Sequence, residues 1–296
     1  MTSFSWALPN FVNKYNNRPL SDGHVKRSLH WGRLPLIMGI VNATPDSFSD
    51  GGKYNPIDHG KRLRDEGANI LDIGGESTRP CALPVDEDEE LRRVIPVIEE
   101  LFSLKVPLSI DTTKARVARE AIAAGAIIIN DVSALEADPD MVQVAVDTQA
   151  GVIAMHRQGT PLIMHVDPQY GNVVEDVVNY LKLRLSCLTN AGIAPDRIVL
   201  DPGIGFGKRT EHSMQLLRHL DQLLALGRPI CLGVSRKGFI NRTLGREGHP
   251  EVGDFGTVGV MLHALSKGWV QIARVHNVKA FHDAARLFLA VEGAEG

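Results

Sequence analysis

Residues able to do chemistry recur at the ends of short aliphatic runs along this chain. Asn42 follows the run 36–41, Asp72 lies near the end of 69–74, and Asp111 closes 107–111. Asn130 with Asp131 closes 126–130, Met155 with His156 closes 151–155, and Asp201 closes 197–201. Ser235, Arg236 and Lys237 follow 229–234, and Arg274 with His276 ends 270–275. Asp111 and Asp201 can each accept paired hydrogen bonds from an amino-pyrimidine or guanidine-like edge, and Asn130 can both donate and accept. That set suits a flat nitrogen heterocycle. Arg79, Arg274, His276 and the Thr78 hydroxyl suit an anion, and the Asn42 oxygen could help hold Mg²⁺ against phosphate oxygens. Those donors suit a pyrophosphate. Lys237 and Arg236 stand where they could touch either ligand.

Helix capping alone explains any one Asp or Asn in such a place, and Asp86 before an acidic helical run reads as a cap. It does not explain the set. Caps do not call for Lys, Arg or His, and burying so many charges without partners would cost several kcal/mol each, on the order of the penalty for an unpaired buried ion. Two loops add to the pattern. Asn42 to Gly52 holds hydroxyls, carboxylates, Phe48 and paired glycines, and Gly74 to Pro80 carries Thr78 and Arg79. Both read as flaps over a polar ligand. The segment Asp201-Pro-Gly-Ile-Gly-Phe-Gly-Lys208 fits neither the Walker spacing nor the dinucleotide fingerprint. Its glycines allow close backbone approach to a flat ligand, with Phe206 as a wall.

These residues need a scaffold that brings eight strand ends to one face. Between the eight aliphatic runs lie stretches of helical period, among them Asp86 to Leu104, Lys114 to Ala124 and Val173 to Asn190. Repeated strand–helix units within one domain predict a closed (β/α)₈ TIM barrel rather than an open doubly wound sheet. In such barrels the C-terminal rim carries the site. A chain of 296 residues, 44% hydrophobic and 5% aromatic, can bury the large aliphatic core this requires. Residues 1 to about 33 show no periodicity and read as an N-terminal extension to a barrel spanning 34–296.

Composition narrows the function. A formal net charge of −3 gives no global field for nucleic acid or an anionic membrane. Cys81, Cys187 and Cys231 are odd in number and widely spaced, which points to reduced thiols and a cytoplasmic setting. No apolar run approaches the ~18 residues of a membrane span.

The strings NATPDSFSDGG, DIGGESTRP, SIDTTKARVA, IINDV, MHRQGTP, LDPGIGFGK, SRKGFI and RVHNV, in this order between about residues 36 and 291, resemble the dihydropteroate synthases. The resemblance implies a (β/α)₈ transferase of folate biosynthesis, typically a homodimer, dependent on Mg²⁺ and a target of sulfonamides. It would join 6-hydroxymethyl-7,8-dihydropterin pyrophosphate to p-aminobenzoate. By similarity, Asp72 at the pocket floor, Asp111, Asn130, Met155, Asp201, Phe206 and Lys237 would hold the pterin. Thr78, Arg79, Arg274 and His276 would hold the pyrophosphate, and Asn42 the metal. Phe48, Asp50, Ser235 and Arg236 would shape the p-aminobenzoate site, with Asp50, Arg79 and Lys237 as catalytic residues. Gly238, Asn277, Cys81, Ala43 and Arg157 depart from the usual pattern. Two other classes use or bind pterins: corrinoid-dependent methyltetrahydrofolate methyltransferases, and paralogues without turnover. The first would need neither the 42–52 flap nor Thr78-Arg79, and the departures alone favour the second.

Overall fold

The computed structural model describes residues 5–8, 28–44, 55–77, 83–159, 164, 166–246 and 252–293. Its strands are β1 (Ser5–Ala7), β2 (Ser28–His30), β3 (Leu36–Asn42), β4 (Ile70–Gly74), β5 (Leu108–Asp111), β6 (Ile128–Asp131), β7 (Gly151–Met155), β8 (Ile198–Asp201), β9 (Cys231–Leu232) and β10 (Ile272–Val275). The described helices are α1 (Pro56–Asp65), α2 (Glu87–Leu101), α3 (Ala115–Ala124), α4 (Met141–Thr148), α5 (Val173–Asn190), α6 (Thr210–Arg218), α7 (Leu220–Leu224), α8 (Gly238–Thr243), α9 (Val252–Ser266) and α10 (Val278–Val291).

All eight expected strands form one parallel sheet in the order β8-β7-β6-β5-β4-β3-β10-β9. A parallel bridge between Leu200 and Ile230 closes the ring from β8 to β9. The fold is the TIM barrel that the alternation predicts. Strand β9 keeps only two residues of the run 229–234, because Pro229 has no N–H to give the ladder and Gly233 packs poorly in it. Helix starts follow local chemistry. Asp86 accepts from the Glu89 N–H at 2.8 Å and Asn172 accepts from Val174 N–H at 3.1 Å, so both helices begin where a side chain replaces the missing intrahelical acceptor.

Period two along each strand divides the interior. Met38, Ile70, Ile128, Ile153, Val199, Cys231 and Ile272 form an apolar cluster together with Trp6, Leu8, Leu29 and Ile127. Strands β1 and β2 pair antiparallel inside the segment that reads as an extension, and Trp6 is fully buried there. Its indole N–H donates to the Arg197 carbonyl at 2.9 Å. Gly151 makes room: a Cβ there would lie 2.5 Å from Leu8 and 3.1 Å from the Trp6 ring. Two three-residue strands carry too little sequence for periodicity to register, so this floor escapes a pattern reading. Among the described residues Cys187 and Cys231 are free thiols, and no helix is long and apolar enough to cross a membrane.

Candidate active site

The apolar layer fixes what lies above it. Side chains two residues apart on a strand share a face, so Asp72, Asn130, Met155, Asp201 and Arg274 lie directly beyond Ile70, Ile128, Ile153, Val199 and Ile272. The register sets depth. Asp111 pairs with Gly74 and Asn130, whereas Asp72 pairs with Ser109, two residues deeper. That places Asp72 at the floor. Met155 and Asp201 stand side by side on adjacent strands.

One network joins four of these groups. Arg274 donates from Nε to Asp72 Oδ2 at 2.7 Å and from Nη2 to Asp111 Oδ2 at 2.6 Å. Asn130 Nδ2 donates to the same Asp72 oxygen at 3.0 Å, while the buried Asp72 Oδ1 has no hydrogen-bond partner. A single guanidinium cannot fully compensate two carboxylates. Burial, opposed by Arg274 and reinforced by the Asp72 charge, pushes Asp111 up to about 7. Arg274 itself is pushed up despite burial, because Asp72 and Asp111 both hold its proton. Arg274, which the sequence analysis gives to a phosphate anion, rests its guanidinium on these two carboxyl groups.

A second group faces them. Asp201, also raised by burial and held down by Lys237, accepts from the Gly203 N–H at 2.6 Å. Lys237 donates to the Ile204 carbonyl and sits 4.5 Å from the Phe206 ring centre, a cation–π contact. Burial lowers the Lys237 ammonium to about 8, against the pull of Asp201. The described pocket thus offers acceptors on Asp111, Asn130 and Asp201, apolar walls on Met155 and Phe206, and cations on Lys237 and Arg274.

The rim beyond β9 is tied to α9 and β10. Ser235 Oγ accepts from the His276 N–H at 3.1 Å and meets its Nδ1 at 2.9 Å. Arg236 holds Asp254 with two bonds, 2.7 and 2.9 Å, and its own N–H donates to Thr257 at 3.1 Å. Asn277 Nδ2 donates to Asp254 at 3.0 Å and Asn277 Oδ1 caps α10 through Ala280 N–H. A carboxylate in its place would face Asp254 without a proton to give, which accounts physically for Asn277. Asn42 ends β3, half-buried, beside the Ala43 N–H bond to the Gly74 carbonyl. Phe48, Asp50, Thr78, Arg79 and Cys81 lie outside the described residues.

Gly238 is the first residue of α8, with Lys237 as the N-cap, and its φ is not positive. A side chain there would meet the exposed Arg242 guanidinium at 3.0 Å, whose Nε donates to the Thr210 hydroxyl at 2.8 Å and which need give by only a few tenths of an ångström. Ser is therefore compatible, and it would remove glycine's backbone freedom from the loop.

The fold also brings to the rim two groups to which the sequence assigns no role. Lys114 bridges Glu76 and the buried Glu90, and Arg93 donates to the Gly75 carbonyl at 2.8 Å, so the start of the second loop is anchored to α2. Lys208 and His156 meet beside Asp201, 2.8 Å apart. A lysine closing a glycine-rich loop was visible in sequence, but its burial was not.

Residues 38–276 match the family model described as "Pterin binding enzyme". The dihydropteroate synthase of Neisseria meningitidis serogroup C is 46% identical over 264 residues, covering 87% of this chain and 93% of that protein. The chain belongs to the dihydropteroate synthase family. Solved structures agree. Xanthomonas albilineans dihydropteroate synthase with 4-aminobenzoic acid superposes with a TM-score of 0.84 at 45% identity, covering 92% of this chain and 98% of that one. The same enzyme in complex with 7,8-dihydropteroate gives 0.81 at 43% identity with the same coverage. Membership in this family makes the chain a transferase, and it disposes of the corrinoid methyltransferase reading.

Proposed function

We propose that the rim residues divide the dihydropteroate synthase reaction among them, with the pterin seated above the apolar layer and the pyrophosphate toward the loops after β3 and β4. The observation that carries this is the inward row of Asp111, Asn130 and Asp201, whose acceptors suit the N–H edge of a reduced pterin. Met155 and Phe206 would flank its rings. The pterin CH₂–O bond breaks as pyrophosphate leaves, the p-aminobenzoate nitrogen forms the new C–N bond, and that nitrogen loses a proton. Since an aniline is a weak nucleophile, the barrier falls mainly when the departing charge is neutralised and water is kept away. Arg274, His276 and Lys237 supply positive or donor groups from the described rim, with Thr78 and Arg79 assigned to the same task. Ser235 and Arg236, with Phe48 and Asp50, would shape the p-aminobenzoate side.

A divalent metal fits this site only in a particular way. Among the described residues no cluster of three His, Cys, Asp or Glu could hold an ion, whereas Asn42 offers one amide oxygen. Mg²⁺ commonly takes one or two protein oxygens and fills its shell with water and substrate phosphates. Asn42 would hold it so, and its charge would offset that of the pyrophosphate. Incubating the protein with both substrates and Mg²⁺ should release pyrophosphate. No release above the uncatalysed rate would overturn the reading.

Proton linkage gives a further expected result. Asp111 lies near 7 in the folded protein, well above its ordinary 3.8, so on its own it favours folding most at low pH and loses that contribution as pH rises toward 7. Pterin N–H donors favour the ionised carboxylate. Binding should therefore release a proton at pH 6 and tighten as pH rises from 5.5 to 7.5, approaching tenfold per pH unit at the acid end. Calorimetry with 6-hydroxymethylpterin checks this, and Asp111→Asn should flatten the dependence. An equally steep profile in that variant would assign the proton elsewhere.

The resemblance implies a homodimer, and we propose the outer face of α9 and α10 as its interface. Phe255 is 82% exposed on α9, and Leu287 and Val291 are exposed on the adjacent α10. Exposed apolar side chains repeated along neighbouring helices suit a self-complementary interface. Phe255→Glu should shift the protein from dimer to monomer by light scattering. A wild-type monomer, or an unchanged dimer in the variant, would remove this face as the interface.

A further inference from the structure

Lys208 is only 3% exposed, yet none of its hydrogen-bond partners is a carboxylate. Its side-chain nitrogen donates to the Phe206 carbonyl at 3.1 Å and the His156 carbonyl at 3.4 Å, and lies 2.8 Å from His156 Nδ1, which accepts from it. Burial and the neighbouring Lys237 pull Lys208 well below its ordinary range, with Asp201 pulling the other way. Burial first, then Lys208, also holds His156 down to about 3, so the imidazole is neutral. A buried amine held this way carries a desolvation cost that no hydrogen-bonded carboxylate offsets. A Leu or Met would fill the volume without that penalty.

What the amine joins is specific. The exits of β7 and β8 run in backbone contact: His156 N–H donates to the Asp201 carbonyl at 3.0 Å. A Cβ at Gly203 (φ 63°) would fall 1.8 Å from the His156 carbonyl oxygen, and one at Gly207 (φ 61°) 2.3 Å from that of Gln158. The far side is braced too, since the Tyr170 hydroxyl donates to the Gly207 carbonyl at 2.7 Å and Tyr180 stands edge-on to the His156 ring at 4.8 Å. On the pocket side of the same short segment are Met155, Asp201 and Phe206, with Lys237 lying on the Phe206 ring.

We infer that Lys208 is a positioning residue for pterin: by tying His156, through its Nδ1 and carbonyl, to the Phe206 carbonyl, it sets the Phe206–Lys237 wall at the spacing the flat ring system needs. The inference rests on the reading of Met155, Phe206 and Lys237 as pterin-site residues. Lys208 is thereby assigned no contact with substrate. Its effect travels through the His156 ring, the shortest of its three contacts at 2.8 Å, and through the two carbonyls, and a small displacement of a binding wall can cost up to about a hundredfold.

The test pairs binding with stability. In Lys208→Met, the Kd for 6-hydroxymethylpterin should weaken about tenfold and KM for the pterin pyrophosphate should rise in step, while KM for p-aminobenzoate moves less than twofold. His156→Leu, which removes the Nδ1 acceptor, should reproduce the weakened pterin binding. His156→Asn, whose side-chain oxygen can stand near the Nδ1 position, should restore it. A Lys208→Met protein with a lower Tm but wild-type pterin affinity would overturn the inference and leave Lys208 a core residue. Should Lys208→Met fail to fold, wild-type affinity in His156→Leu overturns it equally. Wild-type protein that fails to bind 6-hydroxymethylpterin would instead sink the pocket reading on which the inference stands.

Discussion

Arg274→Ala is expected to lower kcat/KM for the pterin pyrophosphate by roughly a thousandfold, comparable to losing a strong preorganised donor at a site of developing charge. Pterin binding should weaken with it. Arg274 bridges Asp72 and Asp111, so its removal leaves two buried carboxylates with one fewer cation between them. Asp111, already near 7, would move further up and be protonated at neutral pH, losing an acceptor that the pterin edge needs. Folding stability should fall by about 3 kcal/mol, the cost typical of breaking a buried pair. A role confined to the leaving group predicts another outcome: turnover falls while the affinity for 6-hydroxymethylpterin is unchanged. A role confined to stability predicts a lower Tm with intact kinetics. Calorimetry, kinetics and urea unfolding on one preparation separate the three, and Arg274→Lys should rescue little, because a point charge cannot span two carboxylates as a guanidinium does.

The position of this arginine also marks how far sequence reading goes. The eight strands were legible because each is an aliphatic run buried on both faces, and Asp86 announced its helix by capping chemistry. The ring of strand-end residues was legible because the barrel sends all C-terminal ends to one face. Depth was not. Whether Asp72 lies level with Asp111 or beneath it depends on register across β4 and β5, which no single strand encodes. Nor could sequence show that a long arginine on β10 folds onto two carboxylates from β4 and β5. The floor built by Trp6 and Leu29 was hidden for another reason: strands of three residues are too short for a period of two to repeat. Lys208 draws no role from the sequence, since its burial shows only when the two loops around it are in contact.

Asp201→Ala should weaken pterin binding by about 2–4 kcal/mol, the penalty for leaving buried ligand donors without an acceptor. Two local effects compound the loss. Gly203 N–H loses its 2.6 Å bond to the carboxylate, in the segment that positions Phe206. Lys237 loses the charge that most opposes its burial, so its pKa should drop further below about 8 and leave it largely neutral at pH 7.5. Asp201→Asn separates these contributions. It keeps an oxygen that can accept from Gly203 and holds the shape of the site, but removes the charge. If charge dominates, Asn should bind 6-hydroxymethylpterin nearly as weakly as Ala, and the alkaline limb of the rate profile, where Lys237 loses its proton, should shift to lower pH in both. If the hydrogen-bonded shape of the loop dominates, Asn should recover most of the affinity. Unchanged affinity in Asp201→Ala would remove Asp201 from the site altogether, and with it the assignment of the β8 exit as the pterin edge.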